Sequence, residues 1–298
     1  MPAILSRFAP APTGYLHLGH VVNAIHVWGI TRASGGAILL RVEDHDRRRS
    51  RPEYERAILD DLDWLGFVLD EPSTDAFRAG SCAGRQSDRH AVYESALDGL
   101  RAKGLMYACD CSRREILSTH PTAGEIRYPG TCAAKGLAER PGLGIRIRLE
   151  PSVERFDDRR HGLQEQRPSE QCGDLLARDR DGHWTYQFAA AVDDYAQGVT
   201  LVIRGDDLLA STGRQIQVAR LLGRQEPAAF FHHPLVMKTP EQKLSKSDGD
   251  TGVRDLRARG WTAPQVIGRA AMLAGLLDIE HPLRAEEIGE LKLGHKSG

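Results

Sequence analysis

Two short runs of this sequence have the residue types and spacing of a nucleotide site: His17-Leu18-Gly19-His20 and Lys243-Leu244-Ser245-Lys246-Ser247. The first follows Ala9-Pro10-Ala11-Pro12-Thr13-Gly14, which its prolines and glycine exclude from regular structure, and opens a segment with helical spacing at Val21, Ile25 and Trp28. A helix start presents unpaired N–H groups and a partial positive charge, so anions settle there. His17 and His20 share one side of the first turn and can donate to phosphate oxygens without a fixed full charge. Gly19 between them would admit a base or ribose close to the backbone. In the second run Lys243 and Lys246 alternate with serines between Pro240 and Gly249, a loop that can close over a triphosphate and neutralise charge as pyrophosphate leaves. A third cluster is metal-like. Cys109-Asp110-Cys111 with Cys132 can place three thiolates around one ion. The fourth ligand stays open among Tyr128, His120 and water, and chemistry alone favours His120.

For the two runs to meet, the chain must carry both to one edge of a sheet. Ile4 to Phe8 reads as a strand, His17 to Ala33 as a helix, and Ala37 to Val42 as a buried parallel strand. That βαβ unit places its loop at the strand's C-terminal end, where open α/β sheets bind ligands. Pro52 opens a second helix, closed by Gly66, and Ser87 is the expected N-cap of a third. Ile145 to Leu149 alternates like a strand with one wet face, and residues 150–182 read as a charged surface excursion. Val199 to Ile203 is a further strand, residues 238–253 a polar loop, and Thr262-Ala263-Pro264 the start of a helix.

The chain has 298 residues, 41% hydrophobic and 27% charged, with a net charge of -1. That length suits one large domain with an insert or two modest ones, and the charge excludes a polycation, so any RNA contact needs a local basic patch. No apolar run approaches the roughly 20 residues that cross a bilayer, and the N-terminus lacks a secretion signal. A cytoplasmic protein with no membrane contact is expected. Five cysteines, an odd number, argue against a disulfide framework.

Arg7-Phe8-Ala9-Pro10-Ala11-Pro12-Thr13-Gly14, together with the HLGH and KLSKS runs, resembles the class I aminoacyl-tRNA synthetases of the glutamyl/glutaminyl branch, over roughly residues 4–253. There the two runs correspond to the HIGH and KMSKS motifs. The resemblance implies an α/β fold: a Rossmann-type, HIGH-superfamily parallel-sheet catalytic domain over 1–253. An inserted zinc-knot, acceptor-binding subdomain would occupy about 105–182, with the knot at 109–132, and a short helical segment would fill 254–298. It also implies condensation of an amino acid with ATP and Mg2+, with release of pyrophosphate. His17, His20, Lys243 and Lys246 would be catalytic, and Pro10, Gly19, His17, His20 and Lys246 would hold ATP. The glutamate-contacting positions fall on Arg7, Phe8, Ala9, Pro10, Ala11, Glu43, Tyr186 and Arg204. Glutamate has two carboxylates and one ammonium. Arg7 and Arg204 would face carboxylates, Glu43 the ammonium, and Tyr186 would donate a hydroxyl hydrogen bond.

One subgroup of this family has Cys-x-Cys followed by Tyr-x-x-x-Cys, and Tyr128 to Cys132 fits it, which moves the fourth ligand of one structural Zn2+ to Tyr128. Only about 45 residues follow the 238–253 loop that carries the KLSKS run, against the ~100–200 of an anticodon-binding domain. The subgroup without that domain activates glutamate without tRNA and esterifies it to queuosine, the modified wobble base of tRNA(Asp). The expected partners are therefore glutamate and the queuosine-bearing anticodon stem-loop of tRNA(Asp), met by a monomer. The chief alternative is a truncated glutamyl-tRNA synthetase that charges the tRNA 3′ end. Another HIGH-type nucleotidyltransferase is disfavoured by Arg7, Glu43, Tyr186 and Arg204, and a non-catalytic RNA-binding module by Lys243 and Lys246.

Overall fold

Strand β1 (Leu5–Phe8) pairs in parallel with β2 (Ala37–Leu40), Phe8 opposite Leu40. Both are covered on two faces, which is why they read as continuous apolar runs. The helix between them, α1 (Leu18–Ala33), buries residues on nearly every side, from Val21 and Val22 to Val27 and Trp28, as an all-round apolar helix must. The computed structural model describes residues 3–119, 125–239, 242–243, 252–291 and 293.

After α2 (Pro52–Leu65) and α3 (Thr74–Ala79), a 3-10 turn at Gln86–Arg89 leads into α4 (His90–Ala102). Ser87 lies inside that turn rather than capping the helix, and its N–H donates to Asp44 Oδ1 at 2.8 Å. A separate three-stranded sheet then begins. Strands β3 (Met106–Cys109) and β4 (Gly144–Ile147) are antiparallel, with α5 (Arg113–Thr119) between them. The expected wet face of β4 is absent: all four residues are buried, because Arg146 turns inward onto a cysteine sulfur and a tyrosine ring.

The stretch read as a surface excursion forms structure. Strand β5 (Glu154–Asp158) pairs with β6 (Gly162–Gln166), and after α6 (Pro168–Gln171) strand β7 (Leu175–Arg178) closes on β4. Glu154, Phe156 and Asp158 of β5 are buried while Arg155 and Asp157 are exposed, and of the three buried residues only Phe156 is apolar, so the strand carries almost no apolar signal. Helix α7 (Tyr186–Ala196), β8 (Leu201–Gly205), α8 (Thr212–Leu222) and β9 (Ala229–His233) return the chain to the main sheet. There β8 and β9 run parallel, β5 joins β9, and Thr200 N donates to Leu5 O at 2.9 Å, setting β8 beside β1. β10 (Met237–Thr239) and β11 (Gln242–Lys243) form a small hairpin. Then α9 (Val253–Ala258) packs against α2, and α10 (Ala263–Leu273) covers α1, with Thr262 and Gln265 closing a capping box at the start of α10. No helix is long and apolar enough to cross a membrane among the described residues.

Candidate active site

The C-terminal ends of β1, β2 and β8 open on one cleft of about 670 Å³. Arg7, Phe8, Ala9, Pro10, Ala11, His17, Gly19, His20, Glu43, Tyr186 and Arg204 all line it. The sequence therefore placed these residues on separate elements that the fold brings together.

At one end His17 is the N-cap of α1. Its Nδ1 accepts from Gly19 N at 3.1 Å, and His20 Nδ1 accepts from His17 N at 3.1 Å. A backbone N–H needs a lone pair, so each neutral ring keeps its proton on Nε2, a donor suited to phosphate oxygen. Gly19 lines the cleft, and its missing side chain also serves the cap. A Cβ there would sit 2.8 Å from His17 Cε1, so the missing side chain makes room for the histidine cap itself. The Lys243 backbone lies in β11, and Leu244, Ser245, Lys246 and Ser247 lie outside the described residues.

The other end is a buried ionic lattice. Arg7 Nε donates to Asp194 Oδ1 at 3.0 Å and its Nη1 to Ile203 O at 3.1 Å. Arg41, with no exposed surface, donates Nη1 to the same Asp194 oxygen at 2.8 Å and Nη2 to Glu43 Oε1 at 3.3 Å. Burial raises the Glu43 carboxyl above its usual range, against the pull of Arg41, and burial likewise raises the Tyr186 hydroxyl. Asp194 goes the other way: Arg7 and Arg41 outweigh its burial and hold it below the usual carboxylate range. Arg204 donates Nε to His232 Nε2 at 3.0 Å, Nη1 to Gln215 Oε1 at 2.6 Å and Nη2 to Thr212 Oγ1 at 2.8 Å. His232 in turn meets Asp158 Oδ2 through Nδ1 at 2.6 Å. The two arginines thus reach the cleft already braced from behind, which lowers the ordering cost of gripping an anion.

Sequence reasoning passed over Arg41, Asp194, His232 and Asp158, all buried. It also passed over Asn23, His45, Arg49, Asp207 and His233, which line the cleft. The available signal was charge inside apolar runs, as at Arg41 and at the Asp193-Asp194 pair of α7.

The cysteine cluster assembles as a separate site. The sulfurs of Cys109, Cys111 and Cys132 lie within 4.8 Å of one another. The Tyr128 hydroxyl stands among them, 3.5 Å from Cys109 Sγ and 4.0 Å from Cys111 Sγ, and accepts from Cys132 N at 2.9 Å. Gly173, at a φ of +67° that favours glycine, lets the Tyr128 backbone approach: a Cβ there would lie 2.0 Å from Tyr128 O. Arg146 rests on the Tyr128 ring and donates Nε to Cys109 Sγ at 3.3 Å. Burial alone would raise the Cys109 thiol, but hydrogen bonds with Tyr128 and Arg146 bring it below its ordinary value. Three sulfurs and a phenol oxygen fit a tetrahedral thiophilic ion such as Zn2+. His120 lies outside the described residues. A second trio, Asp179, Asp181 and His183, occupies one turn, where Asp179 Oδ1 already takes the backbone N–H groups of Asp181 and His183.

A family model described as tRNA synthetases class I (E and Q), catalytic domain, matches residues 3–281. The chain is 40% identical over 288 residues to a glutamyl-Q tRNA(Asp) synthetase of Nitratidesulfovibrio vulgaris, covering 92% of this chain and 87% of that protein. It is 39% identical over 298 residues to one from Symbiobacterium thermophilum, covering 96% and 91%. Among solved structures, the glutamate-tRNA synthetase of Elizabethkingia anophelis superimposes with a TM-score of 0.78 at 24% identity, a likeness of fold. That match covers 97% of this chain, which spans 65% of the solved chain's length.

Proposed function

The chain belongs to the class I tRNA synthetases of the E and Q type, and on that premise we propose that it activates glutamate with ATP and transfers it to the queuosine of tRNA(Asp). One observation carries the reading. A single cleft holds a pair of helix-capping histidines at one end and, at the other, two braced arginines, a carboxylate and a tyrosine hydroxyl.

In the first step the glutamate α-carboxylate attacks the α-phosphate of ATP, and pyrophosphate leaves. His17 and His20 offer Nε2–H donors to the phosphates, with Mg2+ arriving as part of the substrate. Lys243 and Lys246 neutralise the charge that develops on the leaving group. Arg7 and Arg204 grip the carboxylates, Glu43 takes the ammonium, and Tyr186 adds a hydrogen bond. The chemistry is mostly positioning and charge stabilisation. In the second step a hydroxyl of the queuosine ring takes the glutamyl group and AMP leaves. The choice of this acceptor is supported by the names of the relatives and by the tyrosine within the cysteine cluster.

Cys109, Cys111, Cys132 and Tyr128 would hold one Zn2+. It would supply structural cross-linking to the insert at about 105–182, which in this reading meets the RNA together with residues 254–298. In this reading the enzyme acts as a monomer on tRNA in the cytoplasm. Glutamate-dependent ATP–pyrophosphate exchange with no RNA added tests the first step. Exchange with glutamate alone is expected, and absence of exchange until tRNA is supplied would contradict it.

A further inference from the structure

His45 lines the cleft between Glu43 and Arg49, and the two steps above leave it without a role. Its orientation follows from a chain of hydrogen bonds. Asp193 is fully buried. Its Oδ1 accepts from Arg89 Nε at 2.7 Å, and its Oδ2 from Tyr93 OH and Gln86 Nε2, both at 2.8 Å. A carboxylate beside an arginine only accepts, so the amide nitrogen of Gln86 must face it. The Gln86 Oε1 then faces His45 Nδ1, 2.7 Å away. That oxygen also only accepts, so His45 Nδ1 carries a proton. In the neutral ring the lone pair sits on Nε2, to which nothing hydrogen-bonds among the described residues. The ring lies 6.0 Å, centroid to centroid, from that of Tyr186. A base whose far nitrogen is held by an orienting acceptor is the recurring design of acyl-transfer sites.

We propose that His45 Nε2 is the general base of the transfer step. The inference rests on the function proposed above. The acceptor hydroxyl oxygen forms a bond to the carbonyl carbon of glutamyl-adenylate. The bond from that carbon to the phosphate oxygen breaks, and AMP departs with the electron pair. The hydroxyl proton passes to His45 Nε2. The resulting imidazolium is held through Gln86 by the Asp193 carboxylate, and it later releases the proton to solvent. Gln86 and Asp193 are positioning residues, since they act only through His45.

The test follows transfer in a single turnover, with enzyme preloaded with glutamyl-adenylate and mixed with queuosine-containing tRNA(Asp). His45→Ala should slow transfer by about 10²–10⁴-fold, the usual worth of a general base. That loss should exceed any loss in glutamate-dependent ATP–pyrophosphate exchange by at least about tenfold, and added imidazole should restore part of the transfer rate. Equal losses in the two half-reactions, a transfer loss under about threefold, or a transfer defect that imidazole leaves untouched would overturn the role of His45. Wild-type enzyme that esterifies no glutamate to this tRNA would overturn the proposed function, and the base with it.

Discussion

Arg41 and Asp194 form an ion pair beneath the cleft floor, Nη1 to Oδ1 at 2.8 Å, with Arg41 wholly enclosed. Because the same oxygen takes Arg7 Nε, one aspartate holds the arginine expected on a substrate carboxylate and, through Arg41, the glutamate expected on its ammonium. Removing one partner of a buried pair leaves the other charge unpaired, at a cost of about 3–5 kcal/mol. Asp194→Ala should destabilise the protein by that order in urea denaturation. A loss below about 1 kcal/mol would show that the lattice relaxes around the gap.

Acid should weaken the fold through His26. Burial, then the nearby His233, lowers its pKa from 6.5 to about 3. An unfolded chain protonates this ring near 6.5, while the folded one resists until about 3. The folded pKa is depressed, so the contribution is complete above pH 6.5 and is lost progressively as pH falls toward 3. The slope is at most about 1.4 kcal/mol per pH unit. Denaturation measured from pH 7 to pH 4 should show this slope in the wild type and a shallower one in His26→Gln. Identical slopes would contradict the assignment.

Gly19→Ala probes the histidine cap. The new methyl would meet His17 Cε1 at 2.8 Å and Nδ1 at 3.0 Å, so the ring must swing away and leave the Gly19 N–H. The helix start should lose about 1 kcal/mol, the usual worth of a cap. Pyrophosphate exchange should fall at least about tenfold, because one phosphate donor is displaced. Exchange within twofold of wild type would show that His17 is not held there for the nucleotide.

For the cysteine cluster, purified protein should contain about one zinc per chain. Cys132→Ser should lose the metal, while Tyr128→Phe should retain it with weakened affinity, measured by competition with a chelator. Tyr128→Phe with unchanged affinity would leave the phenol outside the coordination sphere.

The residues that line the cleft were legible in outline because several of them end elements. Arg7, Glu43 and Arg204 sit at or near strand ends, and His17 and Tyr186 at helix starts, beside the proline, glycine and polar residues that punctuate the sequence. The braces were not legible. Asp194 reaches Arg7 across 187 positions and Arg41 across 153, and no local period encodes such a contact. Arg41 stood in plain view at the end of an apolar run, one residue past β2, yet the sequence held no sign of its partner. Arg146 misled for the opposite reason. Alternation with charge normally means a wet face, and here a sulfur and an aromatic ring take the place of water. His45 falls between the two cases, since its position is local while its orientation depends on Gln86, 41 positions on.

The acceptor decides the account. Labelled glutamate, ATP and enzyme should be incubated with tRNA(Asp) that either carries or lacks queuosine, and the RNA then cleaved between the anticodon arm and the 3′ end. Label on the anticodon fragment of the queuosine-containing tRNA only is the predicted result. Label on the 3′-terminal fragment, or equal labelling of both tRNAs, would contradict it.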